Sequence, residues 1–347
     1  MACSRLCVQR LLSNNGCYRN ISRLFVQRLL ASNGYYRNIY PVCYKSTKTN
    51  VKTDKMVKDE EKEQVEVSTQ NSDTEDNEHI KIMNYVTSVP LFTTDSEEDK
   101  SHIEAEGQFK SLVESMSIRI IPSVSTVIKN TQSAQSEFFL NRWKGKMIEE
   151  LGEEGFKNYQ QDTFRQGTNF HANVQEFLSG KSLDDIQIDP ANEGHWRSLQ
   201  KVFPLIKNIA AIETQILHPT LFYKGVFDCV AVYKDSLCVI DWKTSKQPKP
   251  LLSNTYDSPL QVAAYMGAIN SSQVLADKGI DNVKTGVLVI AYPQGYPAHV
   301  HFMDQKTCTE YWNKWLERLQ LYWKKTADKK LGLNLVKDDN SEYTEMF

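Results

Sequence analysis

The sequence predicts an α/β domain: a mixed central β-sheet flanked by helices, with an N-terminal helical region. Three observations predict it. Apolar residues recur at helical spacing through 122–210, then at strand spacing through 213–243, and helix, strand and helix patterns follow in turn from 258 to 330. Helices before, between and after strands bury both faces of one sheet. The 347 residues, 40% hydrophobic and 24% charged, suffice for one such core plus tails.

Taken in order, Pro122 is placed to start a first helix, because proline is tolerated in a first turn. A second helix follows Ser133: Phe139, Trp143, Met147 and Leu151 recur every four residues, and Gly152 stops it. A third covers about 162–178, with Phe164, Gly167, His171, Val174 and Leu178 on one face. A fourth is expected over 191–210, bent near Pro204. Strands are expected at 213–217, 224–233 and 237–243. A helix opens at Ser258-Pro259, strands follow at 285–292 and 299–302, and a long helix covers 306–330.

Charge is unevenly spread. Residues 1–50 carry six Arg, two Lys and no acid; residues 51–106 carry sixteen acids against six Lys; residues 107–347 carry 27 charges of each sign. A protein that coats nucleic acid carries a basic excess. A neutral folded region restricts any such contact to a groove.

The first 40 residues hold a tandem repeat of period 18, SRLCVQRLLSNNGCYRN followed by SRLFVQRLLASNGYYRN. Arg-rich, Ser-containing and acid-free until Asp54, residues 1–45 read as a mitochondrial transit peptide, and the alternative is a disordered basic tail. Residues 46–115 read as a disordered acidic linker, 116–335 as the folded domain and 336–347 as a flexible tail. No run of about 18 apolar residues occurs, so no membrane partner is expected. The seven cysteines form no CxxC, which implies reduced thiols.

The chemistry concentrates in Gly225–Ser245, GVFDCVAVYKDSLCVIDWKTS. If Lys234-Asp235 is a two-residue turn, Asp228 lies opposite Asp241. Asp241 and Lys243 share a face, because strand side chains alternate. Facing carboxylates in apolar strands repel one another and resist ionisation. A divalent cation between them removes both penalties. Oxygen ligands suit Mg²⁺, with Mn²⁺ as a substitute. Lys243 adds a fixed charge able to stabilise a phosphate undergoing attack. The bland alternative is a surface salt bridge between Asp241 and Lys243.

This arrangement resembles the PD-(D/E)xK nuclease superfamily in its RecB-like branch. The likeness extends to a Gly-x3-His helix (Gly167, His171), a Glu on the preceding strand (Glu213) and a Gln-x3-Tyr helix (Gln261, Tyr265). Segments IPSVS, LGEEGFK, CVIDWKTS, KPKP, PLQVAAYMGA and PAHVHFMD resemble the mitochondrial members of that branch more closely still. The resemblance implies a restriction-endonuclease-like core and a monomeric, metal-dependent exonuclease. Its expected substrates are single-stranded DNA ends and flaps, processed in replication and repair of mitochondrial DNA in the matrix. It implies Asp228, Asp241 and Lys243 as catalytic residues, and His171, Asp228 and Asp241 as metal ligands. Some members of the superfamily carry an iron–sulfur cluster on four cysteines. With only Cys229, Cys238 and Cys308 in the domain, none is expected here. One position departs from the pattern: Gln175 stands where a Glu is common.

Each supporting residue has a plainer reading beside the functional one. Ser123 and Ser125 flank a helix start, where they could hold phosphate or, for Ser123, simply cap. Gly167 would let its helix approach a strand closely. Glu213 supports the site or lies on an exposed edge. Trp242 sits between the motif residues as a supporting position. Ser258-Pro-Leu-Gln261 reads as a capping box, and Gln261 could also orient substrate. Tyr265 bonds phosphate or packs in the core. Lys246 and Lys249 follow the motif, at the expected groove mouth.

Three other functions compete. A non-catalytic nucleic-acid-binding module on the same fold has no need of two facing carboxylates. A small-nucleotide hydrolase would show a phosphate loop, and none occurs. A duplex endonuclease would need an open cleft.

Overall fold

A computed structural model describes residues 77–92 and 100–336. The transit-peptide region at 1–45 and the tail beyond 336 lie outside the described residues.

Five strands form one sheet in the order β1 (Ile206–Leu217), β2 (Lys224–Tyr233), β3 (Ser236–Thr244), β4 (Thr285–Ala291) and β5 (His299–Met303). The β3–β4 pair is parallel and the other three are antiparallel. Helix Ser258–Ser272 supplies the crossover that a parallel pair requires. The β2–β3 turn is Lys234-Asp235, with φ of 45° and 69°. Positive φ at both central residues is the turn whose twist matches a hairpin. It sets Tyr233 opposite Ser236 and, down the ladder, Cys229 opposite Ile240, so the next register position pairs Asp228 with Asp241.

Seven helices of the described residues matter to the site: α1 (Tyr85–Ser88), α2 (Lys100–Ser115), α3 (Val124–Asn130), α4 (Ala134–Leu178), α5 (Glu193–Leu199), α6 (Ser258–Ser272) and α7 (Gln305–Leu331). One face of the sheet is covered by α6 and α7, packed through Val262, Met266, Trp312, Trp315 and Leu319. These helices meet closely at Gly267, where a Cβ would lie 2.1 Å from the Trp312 ring. The other face is covered by the end of α4 and by α5, through Phe170, Val174, Leu178 and Leu199 against Cys229, Ile240 and Trp242.

The structure moves two boundaries. Residues 77–92 and 100–115, expected in the acidic linker, are largely helical and packed on the core. Met83, Tyr85 and Val86 are buried, as are Phe109, Leu112 and Val113 of α2. The Trp312 indole donates to the Val89 carbonyl at 2.9 Å, and the Asn270 amide donates to that of Leu91 at 3.1 Å. A few apolar residues at helical spacing are diluted by acids here, so average composition hides them. The expected helix over 191–210 is also shorter. It ends at Leu199, and Pro204 lies in a tight turn at Phe203–Leu205 before β1 begins at Ile206. Proline disfavours helix in the residue before it, and the following chain finds strand partners in β2.

The second and third expected helices are α4, broken at Gly152 with φ 71° and ψ 168°. The Trp143 and Phe156 rings lie 6.0 Å apart. Thirteen residues of straight helix would span about 20 Å, so the two halves fold towards each other at Gly152.

His218 is 1% exposed and stacked on Trp312. Its Nδ1 accepts from the Leu221 amide at 3.2 Å, and Nε2 lies 3.1 Å from the Ser271 hydroxyl. An accepting Nδ1 requires the neutral ring, and burial lowers its pKa to about 3. Because the unfolded ring takes a proton near 6.5 and the folded one does not, stability falls as pH drops below about 6.5. The loss is about 1.4 kcal/mol per pH unit and ends near pH 3. Urea unfolding at pH 7 and 5.5 should show this slope in the wild type and a shallower one in His218→Gln. Equal slopes would remove His218 as the cause.

Candidate active site

The site is built where β2 and β3 part. On β3, Val239 faces α6, while Cys238, Ile240 and Trp242 face the other side. Alternation therefore puts Asp241 and Lys243 on the α6 side. Asp241 is fully buried, and the Lys243 ammonium lies 2.6 Å from its Oδ2. Neither Asp241 oxygen has a hydrogen-bond partner of good geometry among the described residues. Asp228, opposite, accepts the Trp242 backbone N–H on Oδ2 at 2.8 Å.

Two more groups converge on Asp228. His171, on the last turns of α4, places Nδ1 3.5 Å from Asp228 Oδ2 and 4.0 Å from Glu213 Oε1. Glu213 lies opposite Asp228 in β1, between the pairs Ile212–Cys229 and Thr214–Phe227. Its φ is 44°, a left-handed backbone that costs a non-glycine residue about 1–3 kcal/mol. The ligand atoms of His171, Glu213 and Asp228 lie within 4.8 Å of one another.

Electrostatics follow from burial and crowding. Burial, then Asp228 and Asp241, push the Glu213 carboxyl up to about 8. Burial, together with Asp228 and against Lys243, pushes Asp241 up to about 6. Asp228 is likewise raised by burial, opposed by Lys243 and the Trp242 amide. Burial and then Lys243 lower His171 to about 4, which leaves the neutral imidazole that ligates metal. For Lys243, burial acts downward, but the carboxylates of Asp241 and Asp228 outweigh it and the pKa rises. Crowded carboxylates, an orphaned buried oxygen and a neutral imidazole are a donor set that fits a hard divalent cation.

The expected residues fall into three groups. Asp228, Asp241, Lys243, His171 and Glu213 come together. Glu213 joins His171 and Asp228 in the cluster, while Asp241 Oδ2 turns to Lys243. Gln261 and Tyr265 approach from the opposite sheet face to His171. The Gln261 amide donates to the Tyr265 hydroxyl at 2.7 Å. Tyr265 is both buried in the core and close enough to Asp241 and Asp228 that, after burial, they raise its pKa. Gly225 makes room for it, since a Cβ there would lie 2.6 Å from the Tyr265 ring.

Other expectations are corrected. No capping box forms at Ser258: the helix starts one residue earlier, with Asp257 as its cap residue 3.5 Å from Arg318, and Gln261 turns to Tyr265. Gly167 is not a close-packing glycine, since a Cβ there would meet nothing within 4 Å. Trp242 contributes its backbone amide, while its ring is buried beside Phe203. Ser123 caps α3, accepting the Thr126 amide at 3.1 Å, and Ser125 is exposed.

Sequence reasoning missed a brace and a contact. The Tyr292 hydroxyl accepts the Lys249 amide at 2.9 Å and lies 2.8 Å from His299, and His301 Nε2 lies 2.9 Å from the Lys249 carbonyl. Lys246 reaches Tyr159 of α4, 87 positions away. Neither had a motif to announce it.

The chain is similar to mitochondrial genome maintenance exonuclease 1. It is 43% identical to that protein of Homo sapiens over 224 residues, 64% of this chain and 63% of the relative. The Mus musculus protein is 44% identical over 59% of this chain and 60% of its own length, and that of Xenopus tropicalis 43% identical over 60% and 59%. The chain thus spans about 60% of the length of these curated relatives. No protein-family model matches it. A solved structure from Eubacterium rectale matches with a TM-score of 0.32 at 12% identity over 50% of this chain and 69% of that one, and nothing is rested on so slight a likeness.

Proposed function

We propose that this chain is a divalent-metal-dependent nuclease of PD-(D/E)xK type that hydrolyses single-stranded DNA from free ends. In this reading it trims single-stranded flaps during replication, repair and maintenance of mitochondrial DNA. The observation that carries the reading is the fully buried Asp241, its oxygens paired among the described residues with Lys243 alone, beside the His171–Glu213–Asp228 cluster. The relatives, exonucleases of mitochondrial genome maintenance by name, support the nuclease part of it. A non-catalytic binding module would bear the cost of these buried like charges with nothing to offset it.

His171, Asp228 and Asp241, with Glu213 beside them, would hold Mg²⁺ or Mn²⁺. A bound ion would polarise the scissile phosphate and lower the pKa of a water. The chain's own groups do the rest. Lys243, fixed by Asp241, presents a positive charge where negative charge grows on phosphate. His171 stays neutral, so it does not repel a cation. The Trp242 amide holds Asp228 in place.

The requirement for an end is read from α4. Val124 and Val127 of α3 pack in the core on the α6–α7 side, and Phe170 and Val174 pack in the core on the other side. The chain between must cross from one sheet face to the other, at the end of the sheet that carries the site. Phe138, Phe139, Trp143 and Phe164 of this arm are exposed, surfaces on which bases can stack. An arch of this kind admits one strand. With Mg²⁺, linear single-stranded DNA should be digested, while a circle of the same sequence and blunt duplex should be cut at least about tenfold more slowly, a difference of about 1.4 kcal/mol in barrier. EDTA should stop all cutting. Equal rates on line and circle would sink the arch.

We further propose that the protein acts in the mitochondrial matrix, as a monomer, with residues 1–45 as the presequence. A fluorescent protein fused to 1–45 that stays in the cytosol would count against this.

A further inference from the structure

We propose that Tyr256 and Lys249 form a nucleotide subsite beside the candidate active site, where one base of a single-stranded substrate stacks on the Tyr256 ring and a phosphate next to it meets Lys249. This rests on the single-stranded reading above. Both residues belong to the segment 245–257. It joins β3, the strand of Asp241 and Lys243, to α6, the helix of Gln261 and Tyr265. The site-bearing ends of those two elements therefore bracket the pair. Lys249 is six residues beyond Lys243, at most about 22 Å of chain, or about six nucleotides of a stacked strand. Residues 242–256 carry three lysines, Lys243, Lys246 and Lys249, and no acid, in a folded region that is neutral as a whole. That local excess suits a polyanion.

The Tyr256 ring is held out in water. It is 81% exposed, more than any other large hydrophobic or aromatic side chain among the described residues. Its backbone, with φ of 55° and ψ of -128°, is one that a residue with a Cβ rarely adopts. The turn before it is fixed from within. Thr255 is buried and its hydroxyl donates to the Leu252 carbonyl at 2.6 Å, while the Asn254 side chain accepts the Leu251 amide at 3.3 Å. The Lys249 ammonium lies 4.3 Å from the centre of the ring, on one face, and the exposure of Tyr256 leaves the other face to solvent. Lys249 is fixed as well. The Tyr292 hydroxyl accepts its amide and His301 Nε2 donates to its carbonyl, each at 2.9 Å. The Gln294 amide holds the Lys246 carbonyl at 3.2 Å. An exposed cation–π contact is worth little in water and calls for no such anchoring. A ligand gains from it, because a base on the open face and a phosphate at the ammonium meet groups already in place, and little freedom is lost on binding. Stacking on a ring also tolerates every base, as an enzyme that consumes a strand from its end requires.

The test is the affinity of the full chain, in EDTA so that nothing is cut, for a labelled single strand of DNA and for a strand of the same length with all bases removed. Tyr256→Gly should bind the intact strand about tenfold more weakly than wild type, the factor that one stacked base represents, and the baseless strand equally well. Glycine accepts the positive φ, so this variant should melt no lower than wild type, which reports an intact fold. Tyr256→Phe keeps the ring and should stay within about twofold of wild type on the intact strand. Lys249→Gln should make the slope of log affinity against log salt shallower by about 0.7, the share of one phosphate. If Tyr256→Gly binds the intact strand as wild type does, or loses the same factor on both strands, the subsite is overturned and the nuclease reading stands. An unchanged salt slope in Lys249→Gln overturns the phosphate contact. If wild type neither binds the intact strand nor cuts it with Mg²⁺, the single-stranded reading fails and the subsite with it.

Discussion

Replacing Asp241 by asparagine is expected to lower cleavage by at least about 10³-fold, equivalent to about 4 kcal/mol in the barrier, while single-stranded DNA still binds. Asp241 is 0% exposed, in a strand whose neighbours Val239 and Ile240 are core residues. Nothing in the packing calls for a charge there. Its carboxyl is pushed up to about 6, so the ionised form is held at a cost that only a cation recovers. Lys243 supplies part of that cation at 2.6 Å, and Oδ1 remains open for another. Asparagine fits the same space but carries no charge. It therefore weakens both the hold on a divalent ion and the placing of Lys243. In the proposed reading the contacts that hold DNA lie along the arm of α4 rather than at this side chain, so affinity should change little. Lys243→Ala and Asp228→Ala should lose cleavage in the same way. Rates and gel-shift affinities on one labelled oligonucleotide check both halves. Robust cleavage by purified Asp241→Asn protein would remove this site from the reaction.

The hairpin at the centre of the site was legible in the sequence because its physics is local. Lys234-Asp235 marks a turn between two apolar runs, and alternation then fixes which side chains share a face, while the pairing of Asp228 with Asp241 still hung on the loop having two residues. The β4, β5 and α7 patterns were legible for the same reason, since each is a periodic run bounded by breaking residues. Glu213 was harder. Its place in the cluster depends on a left-handed backbone, which no pattern of residue types announces. The helices within 77–92 and 100–115 were hidden because their apolar residues are sparse among acids and gain partners only in the three-dimensional core, as the chain does at Trp312 and Asn270. Tyr159 was invisible for a related reason. It lies on the same unbroken half of α4 as His171, and a helical pattern does not say which side chain 87 positions on its ring will meet. The capping box misled because the Asp257 carbonyl, one residue upstream, takes the Gln261 backbone amide and the Tyr265 hydroxyl, one turn on, takes its side chain.

Asp228→Asn should make the protein more stable in EDTA, by about 2 kcal/mol, while it loses activity. In the wild type three carboxyls, Glu213, Asp228 and Asp241, crowd one end of the sheet, and burial raises all three. For an acid whose folded pKa lies above its unfolded value, the sign is fixed. Ionisation opposes folding once pH passes the unfolded value, and the penalty is complete above the folded one. Near pH 8 the penalty from Asp241 is fully present, since its folded value is about 6. The substituted side-chain amide would remove one charge, keep an oxygen to accept the Trp242 N–H, and turn its NH2 towards the Glu213 carboxyl and the His171 ring nitrogen. Lys243 would keep Asp241 as partner. For a folded region of this size the gain corresponds to a rise in melting temperature of about 5 °C. A divalent ion should reverse the ranking, because an ion that binds only the folded state stabilises it in proportion to its affinity. Adding Mn²⁺ at about a hundred times its dissociation constant should raise the wild type by about 2.7 kcal/mol and the variant by far less. Melting curves at pH 8, with EDTA and then with Mn²⁺, give all four values. A variant that melts below wild type in EDTA would mean that Asp228 holds the sheet together, and the crowding of carboxylates would no longer be the cost that a bound ion offsets.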